Sequence, residues 1–391
     1  MTVKLSHNKL RILIVFGSLD IYGREKGTLR VAEVLKDAGV SIHFFISRDW
    51  GSAIKEELLK SGFSYSTVHF GTTLGKAMLE YPPNILFMLK ALFLFPVELL
   101  KEVSRFRPTH ILFGNWGEFL YAFPALIFLK IPVIYRLGDN LPKGIYGIIF
   151  RNIIAPRVKI FACISEYVKK HALNNVIPEA KLEVIYNVAP VICDDIKLPC
   201  IYRKSQDEII ISYVGQMHVY KGIDLFVQAA IDYVLERRDI VFYLAGDYTY
   251  ENPFAEGQIN KVKNLGLEDR VIFLGYIRDP GSLLRESDIH CAPSLCDEPL
   301  GNVVLEAKAA GIPSVVFPDG GLPEMIEHKV DGFTCSSKTL HSLKEGISFF
   351  LNNKEIRDSA KKNAKNSLNR FHKQILAEKW IKVFRETMRG V

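Results

Sequence analysis

The six cysteines, at positions 163, 193, 200, 291, 296 and 335, form no CxxC pair, and no histidine cluster falls at zinc spacing. That excludes a structural zinc site and a disulfide framework. Scattered cysteines in a chain of 391 residues fit reduced thiols in a cytosolic protein. No apolar run is long enough to span a bilayer. The first one, RILIVF, is short and is followed by turn residues, as a first strand would be and a signal peptide would not. GxGxxG after a strand and GxxxxGK[ST] are both missing, which removes the nicotinamide, flavin and P-loop classes. No Lys/Arg run carries the net charge of +7, so nucleic acid is not the expected partner. A mildly basic surface suits anionic ligands or the anionic inner face of a membrane. There is no short-period repeat and no low-complexity tract.

What the chain does have is 48% apolar and 24% charged residues, an ordinary globular balance, and a length that implies two domains. Short apolar runs alternate with helical patterns. RILIVF, SIHFFIS, THILFGN, PVIYRL and VKIFACIS come first; IIISYVG, IVFYLAGD, VIFLGY, DIHCAPS and PSVVF follow. Between the two sets, residues 187–208 are irregular, with prolines and paired acids. The pattern predicts two α/β, Rossmann-like domains with doubly wound parallel sheets, at 1–190 and 206–370, with a linker at 191–205. A long charged helical stretch is expected from about Asn353 to Met388. Its last part, about 371–391, is expected to pack back on the first domain. Ile85 to Leu100 reads as a buried helix, or as one lying on a membrane surface with Lys90 and Lys101 at its edge.

The segment CDEPLGNVVLEAKAAGIP carries Glu298 and Glu306 around a helix start near Gly301. Ligands of open α/β sheets bind outside the carboxyl ends of the strands. A helix start there offers free N–H groups and a positive dipole end, which suits a diphosphate. Glu306 follows Asn302 by four residues, on the same helix face, at the depth where a ribose diol would fall. Glu298 then faces the group beyond the diphosphate. Lys221, beside Gly222 in a second strand–loop–helix unit, can meet a phosphate. VFPDGGLPEMIEHKVDGF repeats the strand, turn and helix-start arrangement, with Glu324 in the first turn. In the first domain, Gly17 to Arg24, Asn115 to Glu118 and Arg136 to Asn140 occupy the corresponding loops. Asp139 and Glu118 can orient an acceptor hydroxyl there, or simply cap and brace those loops.

PSLCDEPLGNVVLEAKAAGIP, the VGQ–KG loop ending at Lys221–Gly222, and GGLPEMI with the later Gly332 resemble the retaining glycosyltransferases of family 4. The Gly17–Gly23 loop, CISEYV and VIYNV extend the resemblance over nearly the whole chain. It implies the GT-B fold, in which two such domains face a central cleft. It also implies a UDP- or GDP-sugar donor on the second domain, and a glycan or lipid-linked acceptor on the first. Glu306 would hold the ribose, Glu298 the sugar, Lys221 and the Gly301–Asn302 backbone the diphosphate, and Ile277 the base. Gly17, Gly215, Gln216, Gly246, Pro299, Leu300 and Val303 complete the expected donor set. Lys221, Glu298 and Asp139 are the expected catalytic residues. Arg24, Asn115, Trp116, Glu118, Arg136 and Asn140 are the expected acceptor side. No DxD motif is present, and the resemblance implies neither a metal nor another cofactor.

The chain departs from the family pattern in two respects. Gln216 stands where an arginine is usual, and the segment GNWGEF (with Gly114, Asn115 and Trp116) and Gly138 lie where histidines are common. These departures keep two alternatives in view: a catalytically silent binder of nucleotide sugars or glycans, and a sugar-nucleotide epimerase of the same fold. The stretch GIYGIIFRNIIAPRVKIF sets Arg151, Arg157 and Lys159 among apolar residues, the pattern of an anionic membrane interface. The expectation is therefore a cytoplasmic hexosyltransferase of envelope or exopolysaccharide synthesis, with peripheral contact at the inner face of the membrane.

Overall fold

A computed structural model describes residues 10–17, 23–48, 52–68, 83–190, 202, 205, 207–247 and 252–388, with backbone alone for 52 and 83–89. Most of the expected linker, the interior of the loop after Phe16, Cys193 and Cys200 lie outside the described residues. The chain divides into two compact units. One comprises Met1–Val188 with Lys373–Val391, the other Ala189–His372.

The first unit is built on β1 (Arg11–Phe16), β2 (Ser41–Ser47), β3 (Ser64–Val68), β4 (His110–Phe113), β5 (Val133–Leu137), β6 (Ile160–Cys163) and β7 (Leu182–Val184). Their order is β3-β2-β1-β4-β5-β6-β7, parallel throughout. The second unit has β8 (Ile209–Val214), β9 (Ile240–Ala245), β10 (Val271–Gly275), β11 (Ile289–Ala292), β12 (Ser314–Val316) and β13 (Gly332–Thr334), ordered β10-β9-β8-β11-β12-β13, again parallel. The central strands are buried on both faces, which is why they read as largely apolar runs, with a buried histidine in β4 (His110) and in β11 (His290). In each sheet the strand order reverses beside the first strand, at β1 and at β8, and such reversal points open a crevice at the strands' carboxyl ends.

The long C-terminal helix expected from 353 to 388 is broken. Helices Lys354–Asn366 and Lys373–Met388 flank a tight turn at Ser367–Phe371. The break coincides with the return of the chain to the first unit. Trp380 and Phe384 are buried there against Ile12, Leu35 and Val31 in the same apolar core. The amide of Ala189 donates to the Phe371 carbonyl at 3.2 Å, joining the segments by which the chain enters and leaves the second unit. Helix Pro83–Phe106 runs through Pro96 without ending. It buries Ala91, Phe95 and Leu99 but leaves Phe93 77% and Val97 48% exposed, so the buried-helix expectation describes only one of its faces. Among the described residues no helix is long and apolar enough to cross a membrane.

Candidate functional site

In the second unit, the loops after β8, β9, β11 and β12 are drawn together by backbone contacts. Gly215 donates to the Ala245 carbonyl and Gly246 to the Gly275 carbonyl, each at 2.9 Å. A Cβ on Gly246 would lie 1.8 Å from the Gly215 carbonyl oxygen, so only glycine permits this approach. After Gly215, the Tyr213 hydroxyl donates to the Gln216 carbonyl at 2.9 Å, and the Tyr220 hydroxyl to Gln216 Oε1 at 3.2 Å. Gly222 is left-handed (φ 68°) and opens helix Ile223–Glu236. A Cβ there would meet the Pro293 carbonyl oxygen at 1.9 Å. The Leu295 and Cys296 amides both donate to the Tyr220 carbonyl, at 2.8 and 3.0 Å.

These contacts fasten the Lys221 loop to the loop that precedes helix Asn302–Ala309. As a result Lys221 Nζ donates to Glu298 Oε1 in a direct ion pair. Ser294 Oγ donates to the same oxygen at 2.8 Å, and Cys296 Sγ lies 3.8 Å from it. The side chains of Lys221 and Glu298 are 22% and 17% exposed, still open to a ligand. Oε2 of Glu298 has no partner among the described residues. The Glu298 carboxylate also reinforces the effect of burial in raising the pKa of the Tyr213 phenol.

Helix Asn302–Ala309 begins at Gly301 (φ 83°) without a side-chain cap. The Val304 amide donates to the Gly301 carbonyl at 3.0 Å, and a helix start of this kind carries the positive end of the helix dipole, which favours an anion. Glu306 is half-buried, one turn along the same face. Leu300 is buried, Pro299, Asn302 and Val303 are half-buried, and Ile277 packs on a small cluster behind β9 and β10. Two residues beyond Glu306, Lys308 forms a fully buried pair with Asp331 at 2.5 Å and donates to Ser367 at 2.6 Å. That pair anchors the helix from below.

Sequence reasoning missed Lys338. Its ammonium donates to the Leu295 carbonyl and to Asp297 Oδ1, and pairs with Asp319, each at 2.9 Å. The only local sign is a lysine between a strand and a helix cap. Its partners stand 41 or more positions away for the loop after β11.

In the first unit, Glu118 Oε1 accepts from the Gly17 amide at 2.6 Å, while Oε2 is buried without a partner among the described residues. Burial pushes the Glu118 carboxyl up to about 8, against the opposing pull of Arg24 and the Gly17 N–H. Arg24 binds Glu25 at 2.9 Å and reaches Asp139 at 3.8 Å. Burial alone would lower its pKa, but Glu25, Glu118 and Asp139 reverse the sign. Arg136 is buried, donating to Asn187 Oδ1 at 2.6 Å and Thr28 Oγ1 at 3.1 Å. No described carboxylate pairs with it, and burial followed by repulsion from Arg24 holds it down to about 10. Asn115 caps helix Trp116–Phe128 through the Gly117 amide at 2.8 Å. The Trp116 and Tyr146 rings meet at a tilt of 42°, 5.2 Å between centres, and Asn140 donates to the Tyr167 hydroxyl at 3.3 Å. Asn115 and Arg136 therefore brace the loops, while Arg24 and Asp139 present charge at their surface.

Two family models match the chain, Glycosyltransferase Family 4 over residues 22–190 and Glycosyl transferases group 1 over 195–367. An uncharacterized glycosyltransferase of Methanocaldococcus jannaschii is 31% identical over 54% of this chain and 55% of its own length. The N-acetyl-alpha-D-glucosaminyl L-malate synthase of Bacillus anthracis is 29% identical over 48% of each chain. The match thus spans about half the length of these relatives. The Anabaena protein HepE, crystallised with UDP and glucose, superposes with a TM-score of 0.76 at 18% identity, over 96% of this chain and all of that one. At that identity the likeness speaks for the GT-B fold.

Proposed function

The chain belongs to the family-4 glycosyltransferases of GT-B fold, the two models together covering both of its units, and from that premise we propose that it transfers a sugar from a nucleotide-diphosphate donor to an acceptor hydroxyl. The observation that carries this reading is the Lys221–Glu298 pair beside the uncapped start of helix Asn302–Ala309. A cation for the diphosphate, amides for its oxygens, Glu298 for the sugar and Glu306 for the ribose lie on one set of adjoining loops. The donor is a UDP- or GDP-linked hexose. HepE with UDP and glucose, and the glucosaminyl transfer named for the Bacillus relative, support that class.

In the reaction the bond from the anomeric carbon to the diphosphate breaks, and negative charge grows on the leaving diphosphate. Lys221 and the helix amides stabilise that charge. The acceptor oxygen bonds the anomeric carbon on the same face, giving retention, and its proton passes to the departing phosphate. No histidine base is required, and no metal or further cofactor enters the scheme. Arg24 and Asp139 of the first unit serve the acceptor, a glycan or a lipid-linked precursor.

The first unit also leaves Phe93, Val97, Ile127, Phe128, Ile145 and Ile148 exposed, with Lys90, Lys101, Lys130, Lys143 and Arg151 exposed along the same segments. Apolar side chains among cations favour an anionic bilayer surface, which supports peripheral attachment and a lipid-linked acceptor.

A thermal-shift panel of UDP, GDP, ADP and CMP sugars tests the donor class. The cognate donor at 100 times its dissociation constant stabilises by about 2.7 kcal/mol. Slow donor hydrolysis with release of the α-configured sugar is expected. Binding with no hydrolysis and no transfer would mark a silent binder, and a changed sugar configuration in the recovered donor an epimerase. Co-sedimentation with anionic liposomes, weakening as salt rises, tests the attachment.

A further inference from the structure

Lys338 stands in the turn Ser336–Thr339, between β13 and helix Leu340–Leu351. That turn is itself fixed. Ser336 and Ser342 share a hydrogen bond of 2.8 Å, Ser337 and Thr339 one of 3.0 Å, and Thr339 caps the helix through the Ser342 amide at 3.3 Å. From this base the ammonium reaches three oxygens in two other loops: the Leu295 carbonyl, Asp297 and Asp319. Asp297 immediately precedes Glu298. Asp319 immediately precedes Gly320 and Gly321, and the Gly321 amide donates to the Glu298 carbonyl at 2.7 Å. A Cβ on Gly320 would come within 2.5 Å of that same carbonyl oxygen, so the two loops press together around the Glu298 backbone.

The charges explain why a lysine is needed. Asp297 and Asp319 are 49% and 53% exposed, and both converge on one ammonium that is 24% exposed. Without that cation two carboxylates would meet across the junction and push the loops apart. Ion pairs this exposed add little to folding stability. The consequence of Lys338 therefore falls on where the loops sit. Lys221 grips the carboxylate end of Glu298, while Lys338 fixes the backbone from which that side chain projects.

We propose that Lys338 is the positioning residue that sets Glu298 against the donor sugar. This rests on the assignment of Glu298 to the sugar end of the donor. Displacing a contact group by about 1 Å can lower turnover about 10²-fold. Because Glu298 faces the sugar and not the nucleotide, the effect is selective for sugar-bearing ligands.

The test compares Lys338→Met, Lys338→Arg and Glu298→Ala with the full-length wild type. Calorimetry gives affinities for UDP and UDP-glucose, or for GDP and GDP-mannose if those are what the wild type binds, and steady-state assays give kcat. Lys338→Met is expected to weaken the nucleotide sugar about ten-fold and lower kcat, with nucleotide affinity and Tm little changed; Lys338→Arg recovers part of the loss. Equal weakening of both ligands together with a lower Tm, or no change in either, overturns the proposal. A Glu298→Ala variant with no sugar-selective loss overturns the assignment of Glu298 instead.

Discussion

Charge at the strand ends is handled in opposite ways by the two units. In the second unit the cations meet carboxylates in half-open loops, Lys221 with Glu298 and Lys338 with Asp297 and Asp319. In the first unit two deeply buried charges, Glu118 and Arg136, have no such partner among the described residues. Glu118 is buried beside one amide with an oxygen unsatisfied, and Arg136 is buried among neutral acceptors and a carbonyl. A half-exposed ion pair can be exchanged for a ligand of the same charge pattern. A buried group with no ionic partner has no such exchange to make, and serves to hold backbone. The half-open pairs of the second unit suit an anion with hydroxyls attached, whereas among the described residues of the first unit Arg24 and Asp139 present charge at the loop surface.

The contrast is broken most sharply at Lys221. Lys221→Ala is expected to lower kcat by about 10²–10³ with a smaller effect on donor affinity, because the diphosphate gains its charge in the transition state. A variant with near-native kcat would mean that the ion pair is merely structural. Glu306→Ala comes next. Loss of a charge-assisted hydrogen bond to the ribose weakens donor binding by roughly 1.5–3 kcal/mol, measured by calorimetry on a folded variant. Glu298→Gln sharpens the idea of exchange. It removes the carboxylate that holds Lys221 and that faces the extra charge of a free nucleoside diphosphate. Affinity for the diphosphate should rise while affinity for the nucleotide sugar falls; a parallel change in both would contradict it.

The smallest effect is expected in the first unit, and it depends on pH. The Glu118 carboxyl sits at about 8 in the fold, above its ordinary 4.5. Between those values the folded state holds a proton that the unfolded chain has released. Stability from this group is therefore present at acidic pH and declines as pH rises from about 4.5 to about 8. Glu118→Gln still accepts the Gly17 N–H and should flatten that decline in Tm-versus-pH scans, leaving donor affinity unaltered. An unchanged slope would show that Glu118 is already ionised.

Much of this frame is legible in the chain. Parallel strands covered on both faces are predominantly apolar, so ten of the strands stand out as runs such as RILIVF and IVFYLA. The helix start at Gly301 and the two glutamates around it can be read from local spacing. Edge strands such as Ser64–Val68 and Leu182–Val184 cannot, because they are short and half-covered. The same holds for the ion pair between Lys221 and Glu298, 77 positions apart, and for the clamp of Lys338. Those contacts exist only once separate loops share a sheet edge. The break at Ser367–Phe371 was hidden for a related reason. Lys354 to Met388 keeps good helix-forming composition, and only the burial of Trp380 in another unit requires the turn.

That burial bears on the order in which the molecule can be made. The first unit begins the chain but has Trp380, Ile381 and Phe384 in its core. As the chain is synthesised, residues 189–372 are complete before the helix that finishes the first unit appears. The second unit, one continuous segment closed by the Ala189–Phe371 hydrogen bond, can fold while its predecessor waits with apolar surface uncovered. Truncation before Lys373 should accordingly leave a folded second unit attached to an aggregation-prone first one, seen as selective protease resistance of 189–372. The last sixteen described residues act as the closing piece of the part of the protein that was started first.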